Sequence, residues 1–424
     1  MTRSPKTLAT LLCMCLAWSG CKSGGEPLRL QVFGDTPELD AYKELIAAFE
    51  ASAPDVNVEL IPVASQKDHM AGLAASLPDG DPPDLFLINF RRYGQFAAQG
   101  VLEPLGPRLT ERGRFREEDF YEPAIEAFRH DGTLVCAPRN VSSLVVYYNR
   151  ALFEEAGLPL PGPAWTWAEF LAAAKALTRD TNGDGKPDVY GLGFEPTLIR
   201  LAPFVWQAGG DLVDDLHRPT RFTLDEPNAH EALDFVRSWH ATHKVVPPRI
   251  ENESEDLESR FARGGLGMIL SSRRYTATLR TVPELDWDVA PLPRHDKAAT
   301  VLHADAYCMA KRSKLKDAAY RFLEFALNPE GAGIISRSGR IVPSRKTVAE
   351  GPDFLDPDAP PRSARIFLDS IANMRRPPSI AAWNEIETRA DPVIEEWFFS
   401  AEPPSKSLGQ SLGEATQELF EEPR

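Results

Sequence analysis

Two α/β lobes are what the sequence predicts, and three observations carry that expectation. Apolar strands alternate with amphipathic helices, an order that favours parallel pairing in a sheet covered by helices. The pattern begins at residue 28 and recurs from residue 142. The chain of 424 residues is too long for one small sheet, and no internal repeat or low-complexity tract interrupts it.

Taken in order, "LRLQVF" (28–33) reads as a buried strand. Thr36 and Pro37 follow as N-cap and first helical residue. Leu39, Tyr42, Leu45, Ile46 and Phe49 then share one helical face. "PDVNVELIPV" (54–63) alternates as a second strand, and "PPDLFLIN" (82–89) supplies a third. "SSLVVYYN" (142–149) opens the second set, and "TWAEFLAAAKALT" (166–178) is a helix with a capping box at Thr166 and Glu169. "NAHEALDFVRSWH" (228–240) aligns Leu233, Val236 and Trp239. "LGMIL" (266–270), "WDVA" (287–290) and "AYCM" (306–309) are short strands, and "LKDAAYRFLEFAL" (315–327) is another amphipathic helix. A Pro-rich break, "GPDFLDPDAPPR" (351–362), precedes a largely helical end.

The balance of 62 acidic against 47 basic residues, a net charge of −15, lacks the basic footprint of a nucleic-acid partner. Residues 1–20 read as a signal peptide: Arg3 and Lys6, then "TLATLLCMCLAW" (7–18), too short for a comfortable membrane span. Ser19 and Gly20 before Cys21 resemble a bacterial lipoprotein cleavage site, with Trp18 standing where such sites usually carry Leu. Lipidation of Cys21 is expected, with residues 21–27 as a tether. The chain is then extracytoplasmic, anchored to a bacterial membrane at its periplasmic side or at the cell surface. Cys13 and Cys15 leave with the signal. Cys136 and Cys308 are expected as small buried residues, a bridge between them being left open.

Catalytic signatures find no support. "GQSLG" (409–413) has the G-x-S-x-G form, but no strand precedes it and the last histidine is His303. "GDGK" (183–186) lacks the upstream Gly and the Ser/Thr of a phosphate loop. His240 and His243 carry no metalloprotease signature, and no Cys/His cluster has zinc spacing. "DTNGDGKPD" (180–188) does resemble the start of a calcium loop, with Asp180, Asn182 and Asp184 at alternate positions. Lys186 would offer its carbonyl and Asp188 would fill the ninth place, but Gly191 occupies the twelfth, where such loops need a bidentate Glu. No second helix is evident after the loop, so it is not an EF-hand pair and a sensor role is not expected. A structural calcium and a plain Asx-rich turn both stay open. No other cofactor is required, and no catalytic residue is nominated.

Several stretches in a fixed order carry a family resemblance. They are "DGDPPDLFL" (79–87), "FAAQGVLEPL" (96–105), "VVYYNRALFEEAGLPLPGPAWTWAEFLAAAKALT" (145–178), "WQAGGDLVD" (206–214), "FARGGLGMIL" (261–270), "DWDVAPLP" (286–293) and "GRIVPSR" (339–345). Together they resemble family 1 extracellular solute-binding proteins, the sugar-capturing lipoproteins of ATP-driven importers related to maltose-binding protein. The resemblance implies the type II periplasmic-binding-protein fold, two α/β lobes joined by a multi-crossover hinge. Lobe one would be 28–141 plus 291–328 and lobe two 144–290 plus 330–424, crossing near Val141–Leu144, Pro291 and Asn328–Glu330. It implies a monomer that captures a carbohydrate by hinge closure and presents it to ABC transporter permease subunits. A binding protein for an acidic sugar or phosphorylated polyol is the alternative, and a secreted carbohydrate-active hydrolase the second.

The same resemblance nominates ligand-contacting positions. Asp35 follows the first strand, and Asn89, Phe90, Arg91 and Arg92 follow the third. Arg139 and Asn140 enter the first crossing. Trp206, Arg273, Arg274, Tyr275, His303, Asp305 and Trp383 complete the set. Ligands in open α/β sheets bind beyond the carboxyl ends of strands, which suits these positions independently. Sugars need flat faces, here Trp206, Tyr275 and Trp383, and polar side chains against their hydroxyls. Trp165 and Trp167 are assigned to packing or rim and Trp239 to a core face. Ser272 and Arg274 stand where many family members have Gly and Trp. With Arg91, Arg92, Arg139 and Arg273 this brings up to five guanidinium groups toward the cleft, a composition suited to carboxylate or phosphate.

Overall fold

The computed structural model describes residues 25–401 and 405–421. The signal peptide, Cys21 and most of the tether lie outside the described residues. Among the described residues no helix is long and apolar enough to cross a membrane.

The strands that position the site are β1 (Leu28–Phe33), β2 (Val58–Val63), β3 (Leu85–Asn89), β4 (Ala137–Pro138), β5 (Ser142–Ser143), β6 (Val145–Asn149), β7 (Tyr190–Gly193), β8 (Leu266–Ser271), β9 (Trp287–Ala290), β10 (Thr300–His303), β11 (Asp305–Met309) and β12 (Met374–Arg375). The helices are α1 (Thr36–Ser52), α2 (Phe90–Ala98), α3 (Trp167–Leu177), α4 (Leu198–Gln207), α5 (Pro227–Ala241), α6 (Arg274–Leu279), α7 (Lys316–Ala326), α8 (Pro329–Arg337), α9 (Trp383–Phe399) and α10 (Leu408–Glu421).

One sheet runs β2-β1-β3-β11-β4 and a second runs β9-β6-β8-β7. Parallel pairing holds for β1 with β2 and β3, and for β7 with β8. The strands β6, β9 and β11 pair antiparallel instead. β6 and β11 each follow directly on a strand that crosses from the other lobe, so neither follows a helical crossover within its own sheet; β9 follows β8 through α6 and is antiparallel only to its neighbour β6. Thr166 and Glu169 make the expected capping box at the start of α3. α1 starts one residue earlier than expected: Asp35 is its N-cap, accepting from the Glu38 amide, and Thr36 is already helical. "GQSLG" lies inside α10, capped by Ser407, so it forms no nucleophile elbow.

A third small sheet, β12-β10-β5, joins the two lobes. It relocates two of the expected crossings. The chain returns to the first lobe in β10, not at Pro291: Leu292, Ala299 and Val301 pack in the second core, whereas Leu302 and Ala304 pack in the first. α8 does not leave the first lobe either, because it packs on α1 and α7 and puts Ile334 and Ile335 in the first core. The last crossing runs through β12, paired with β10. Cys136 and Cys308 form a disulfide between the approach to β4 and β11, 172 residues apart. A cross-link that closes so long a loop limits the unfolded ensemble strongly.

A charged cleft between two lobes

A cavity of about 600 Å³ opens at the carboxyl ends of β1, β2, β3, β8 and β10. Its first wall comes from the first lobe, with Asp35 and Glu38 after β1, Asn89 and Arg91 after β3, and Arg139, Asp305 and Arg340. Its second wall comes from Ile199 and Arg200 in the first turn of α4 and from Ser271, Ser272 and Arg274 after β8. His303 and Ser142 of the crossing strands form the back.

The first wall is a closed network of charges. Arg139 is only 7% exposed. Its Nη1 donates to Glu38 Oε1 and to the Tyr42 hydroxyl, each at 2.7 Å. Its Nη2 lies 3.6 Å from Asp305 Oδ2. Arg340 donates to Asp35 and, at 3.3 Å, to Glu38 Oε2. Gly34 leaves room for this network: a Cβ on it would lie 2.7 Å from Glu38 Oε2 and displace that carboxylate. Asn89 Nδ2 donates to Asp305 Oδ1 at 3.1 Å, and Asn140 Oδ1 accepts from the Asp305 amide at 3.0 Å. Burial raises the Asp305 carboxyl above the usual range, with Arg139 and Asn89 opposing. Buried charges persist when paired and hydrogen-bonded in this way.

The second wall is open. The Arg274 side chain is 62% exposed and reaches Glu258 at 3.4 Å. Arg200 pairs with Glu195 at 2.7 Å, and across the cleft Arg91 pairs with Glu387 at 2.6 Å. Glu258, Glu195 and Glu387 are not among the lining residues, whereas the three arginines are. His303 sits among them. Burial, then Arg91, Arg200 and Arg274, push its imidazole well below the ordinary histidine range, so the ring is neutral.

Of the nominated residues, Asp35, Asn89, Arg91, Arg139, Asn140, Arg274, His303 and Asp305 line this cavity together. The aromatic ones do not. Trp383 is fully buried in the second core, which leaves no face for a sugar. Its indole N–H donates to Glu387 Oε1 at 2.9 Å, and Glu387 Oε2 holds Arg91, so Trp383 positions a cleft arginine rather than touching a ligand. Tyr275 is buried between Tyr147 and Phe261, its hydroxyl bonded to the Glu258 carbonyl. Trp206 is 2% exposed, with the Arg375 guanidinium 5.1 Å above its ring. It borders a separate cavity of about 480 Å³ that Leu302 also lines. Successive residues of a strand point to opposite faces, so Leu302 and His303 place the two cavities on opposite sides of β10.

Two arginines also leave the set. Arg92 donates to Asn384 and does not reach the cavity. Arg273 is 1% exposed, held by the Gly339 carbonyl between Phe354 and Phe367, and burial lowers it to about 9. Arg200, Arg340 and Glu38 were not anticipated. Glu38 falls one turn into α1 and Arg200 one turn into α4; a search of first helical turns after strands would have found both.

In the loop 180–188, oxygens expected to hold calcium accept from the loop's own backbone. Asp180 takes the amides of Gly183 and Gly185, Asn182 that of Asp184, and Asp184 that of Lys186. Asp188 takes Thr181 and Asn182. Among the described residues no group of three or more His, Cys, Asp or Glu side chains is placed to hold a metal.

An α/β protein of two lobes, joined by short strands and enclosing a polar cleft, is the architecture of a solute-binding protein. The family model for bacterial extracellular solute-binding protein matches residues 34–333, and the chain belongs to that family. It is 25% identical over 387 residues to a putative binding protein of Brucella abortus, covering 88% of each chain. It is 25% identical over 377 residues to the diacetylchitobiose binding protein DasA of Streptomyces coelicolor, covering 87% of this chain and 84% of the other. The ABC substrate-binding protein Lmo0181 from Listeria monocytogenes, in complex with cycloalternan, superposes with a TM-score of 0.83 at 26% identity, over 93% of this chain and 98% of that one.

Proposed function

We propose that this protein captures a carbohydrate-class solute outside the cytoplasm for an ABC importer and releases it unchanged. The observation that carries the reading is the cavity of about 600 Å³ lined from both lobes with hydrogen-bonding side chains. Flexing at the crossing strands β5, β10 and β12 would move one wall against the other. The relative named for diacetylchitobiose and the one solved in complex with cycloalternan are consistent with a sugar-derived ligand. In this reading the chain is a monomer, anchored through lipid on Cys21 and delivering its ligand to permease subunits. The enzyme alternative is disfavoured because the cleft carboxylates Asp35, Glu38 and Asp305 are all engaged by arginines.

Thermal-shift screening of the mature protein against a glycan library tests the reading. One or more sugars should raise the melting temperature without being consumed; products forming with saturation kinetics would sink it. The 180–188 loop is read as a self-satisfied turn. Calorimetry with millimolar calcium should give no isotherm, and a saturable one, abolished by Asp184→Ala, would restore the structural calcium.

A further inference from the structure

We infer that the ligand is anionic, and that Arg91, Arg200, Arg274 and His303 form a cradle for its phosphate or carboxylate group. The inference rests on the capture function proposed above and names the class of solute. Three observations support it independently of any relative.

The first is the sign of the lining. The cavity's own carboxylates, Asp35, Glu38 and Asp305, are consumed by Arg139 and Arg340. The remaining arginines, Arg91, Arg200 and Arg274, pair with Glu387, Glu195 and Glu258, none of which lines the cavity, so the lining itself carries five arginines against three carboxylates. The second is unspent donor capacity. Among the described residues the buried Nε atoms of Arg91 and Arg200 and the buried Nε2 of His303 have no hydrogen-bond partner. A neutral imidazole can carry its proton on Nε2, and an oxyanion accepts from it and from guanidinium groups together. The third is the lack of aromatic faces: of the 22 residues lining the cavity, Phe33 is the sole Phe, Tyr or Trp. A neutral oligosaccharide would find little to stack on.

The three guanidinium groups come from three elements. Arg91 lies in the first turn of α2 in the first lobe, Arg200 lies in α4 and Arg274 opens α6 in the second. An anion bound to all three ties the lobes together, which couples capture to closure. Trp383 enters as a positioning residue through Glu387, which fixes Arg91.

Isothermal titration of the mature protein should use matched probes: glucose 6-phosphate and glucuronate against glucose, a glycerol phosphate against glycerol, and inorganic phosphate alone. At least one charged probe should bind about tenfold or more tightly than its neutral counterpart, and added salt should weaken it. The phosphate and uronate arms distinguish the two chemistries. Arg200→Ala with Arg274→Ala should reduce that affinity at least about tenfold, while circular dichroism and the melting temperature without ligand confirm the fold. Equal binding of charged and neutral members, or charged binding that survives the double substitution, overturns the inference and leaves sugar capture standing. A neutral sugar alone binding does the same. No response from either set in these titrations or in the glycan screen overturns both.

Discussion

The two walls of the cleft are built on different principles. The first wall is a set of mutually paired charges, with Arg139, Arg340 and Glu38 buried, Asp305 half-buried and Asp35 exposed at the rim. The second is a pair of guanidinium groups, Arg200 and Arg274, on an apolar and serine-lined surface. A buried pair cannot lose one partner without leaving an uncompensated charge, whereas an exposed arginine can change at little cost to the fold. The first wall is therefore part of what holds the lobe together, and the second is free to select ligand.

The largest expected effect breaks the first wall. Arg139→Ala leaves Asp305 without a cation and Glu38 with Arg340 alone, and denaturant unfolding should show a loss of about 3–5 kcal/mol. A loss under about 1 kcal/mol would mean that water or a neighbour replaces the guanidinium and that the walls do not differ. Next, replacing Cys136 and Cys308 by Ser should lower the stability of the first lobe by about 2–4 kcal/mol. Hydrogen exchange should locate the loosening in β3, β4 and β11 and leave the second sheet protected; loosening confined to β6–β9 would refute the assignment.

A smaller effect probes what stands behind the second wall. Asp391 accepts from the Leu198 amide at the start of α4, yet burial, with Glu387 and Glu195 adding, raises its carboxyl to about 6. An acid whose folded pKa is raised destabilises the fold where it must be ionised. That penalty is present above pH 6, shrinks as pH falls through 6, and is gone below about pH 4. Asp391→Asn keeps the acceptor, so it should stabilise by about 2 kcal/mol at pH 8 and by nothing at pH 4. A gain of equal size at both pH values would show that charge is not the cause. The smallest effect closes the comparison. Arg274→Ala should change unfolding free energy by less than about 0.5 kcal/mol, and a drop matching that of Arg139→Ala would erase the distinction between the walls.

The elements were legible where periodicity is strong. β1, β3, α3 with its capping box and the helix over Lys316–Ala326 stand where the pattern puts them. The crossings were harder, because strands of two residues such as β5 and β12 leave no period to read. Site residues at strand ends were legible for the same reason that strands were: Asp35, Asn89 and Arg91 are fixed by where β1 and β3 stop. The aromatic residues were misread because a tryptophan near a cleft and a tryptophan under it have the same local sequence. Trp383 becomes a core residue through Phe222 and the helix it opens, contacts that are remote in the chain. Arg340 escaped notice because its partners, Asp35 and Glu38, lie some three hundred residues earlier.

The position of β11 has a consequence for how the chain is made. β11 lies between β3 and β4 and is the strand that brings β4 into the first sheet. A ribosome that has finished β4 must still produce the second lobe's four-stranded sheet before β11 appears, 172 residues separating Cys136 from Cys308. At about 5–20 residues per second this is an interval of about 10–35 s. During it the leading lobe has one edge of β3 uncovered and its cysteine without a mate, while the second sheet's strands β6 to β9 are being added. Neither lobe is therefore made as one run of chain: the first waits for β11, and the second waits longer still for α9 and α10, which pack in its core.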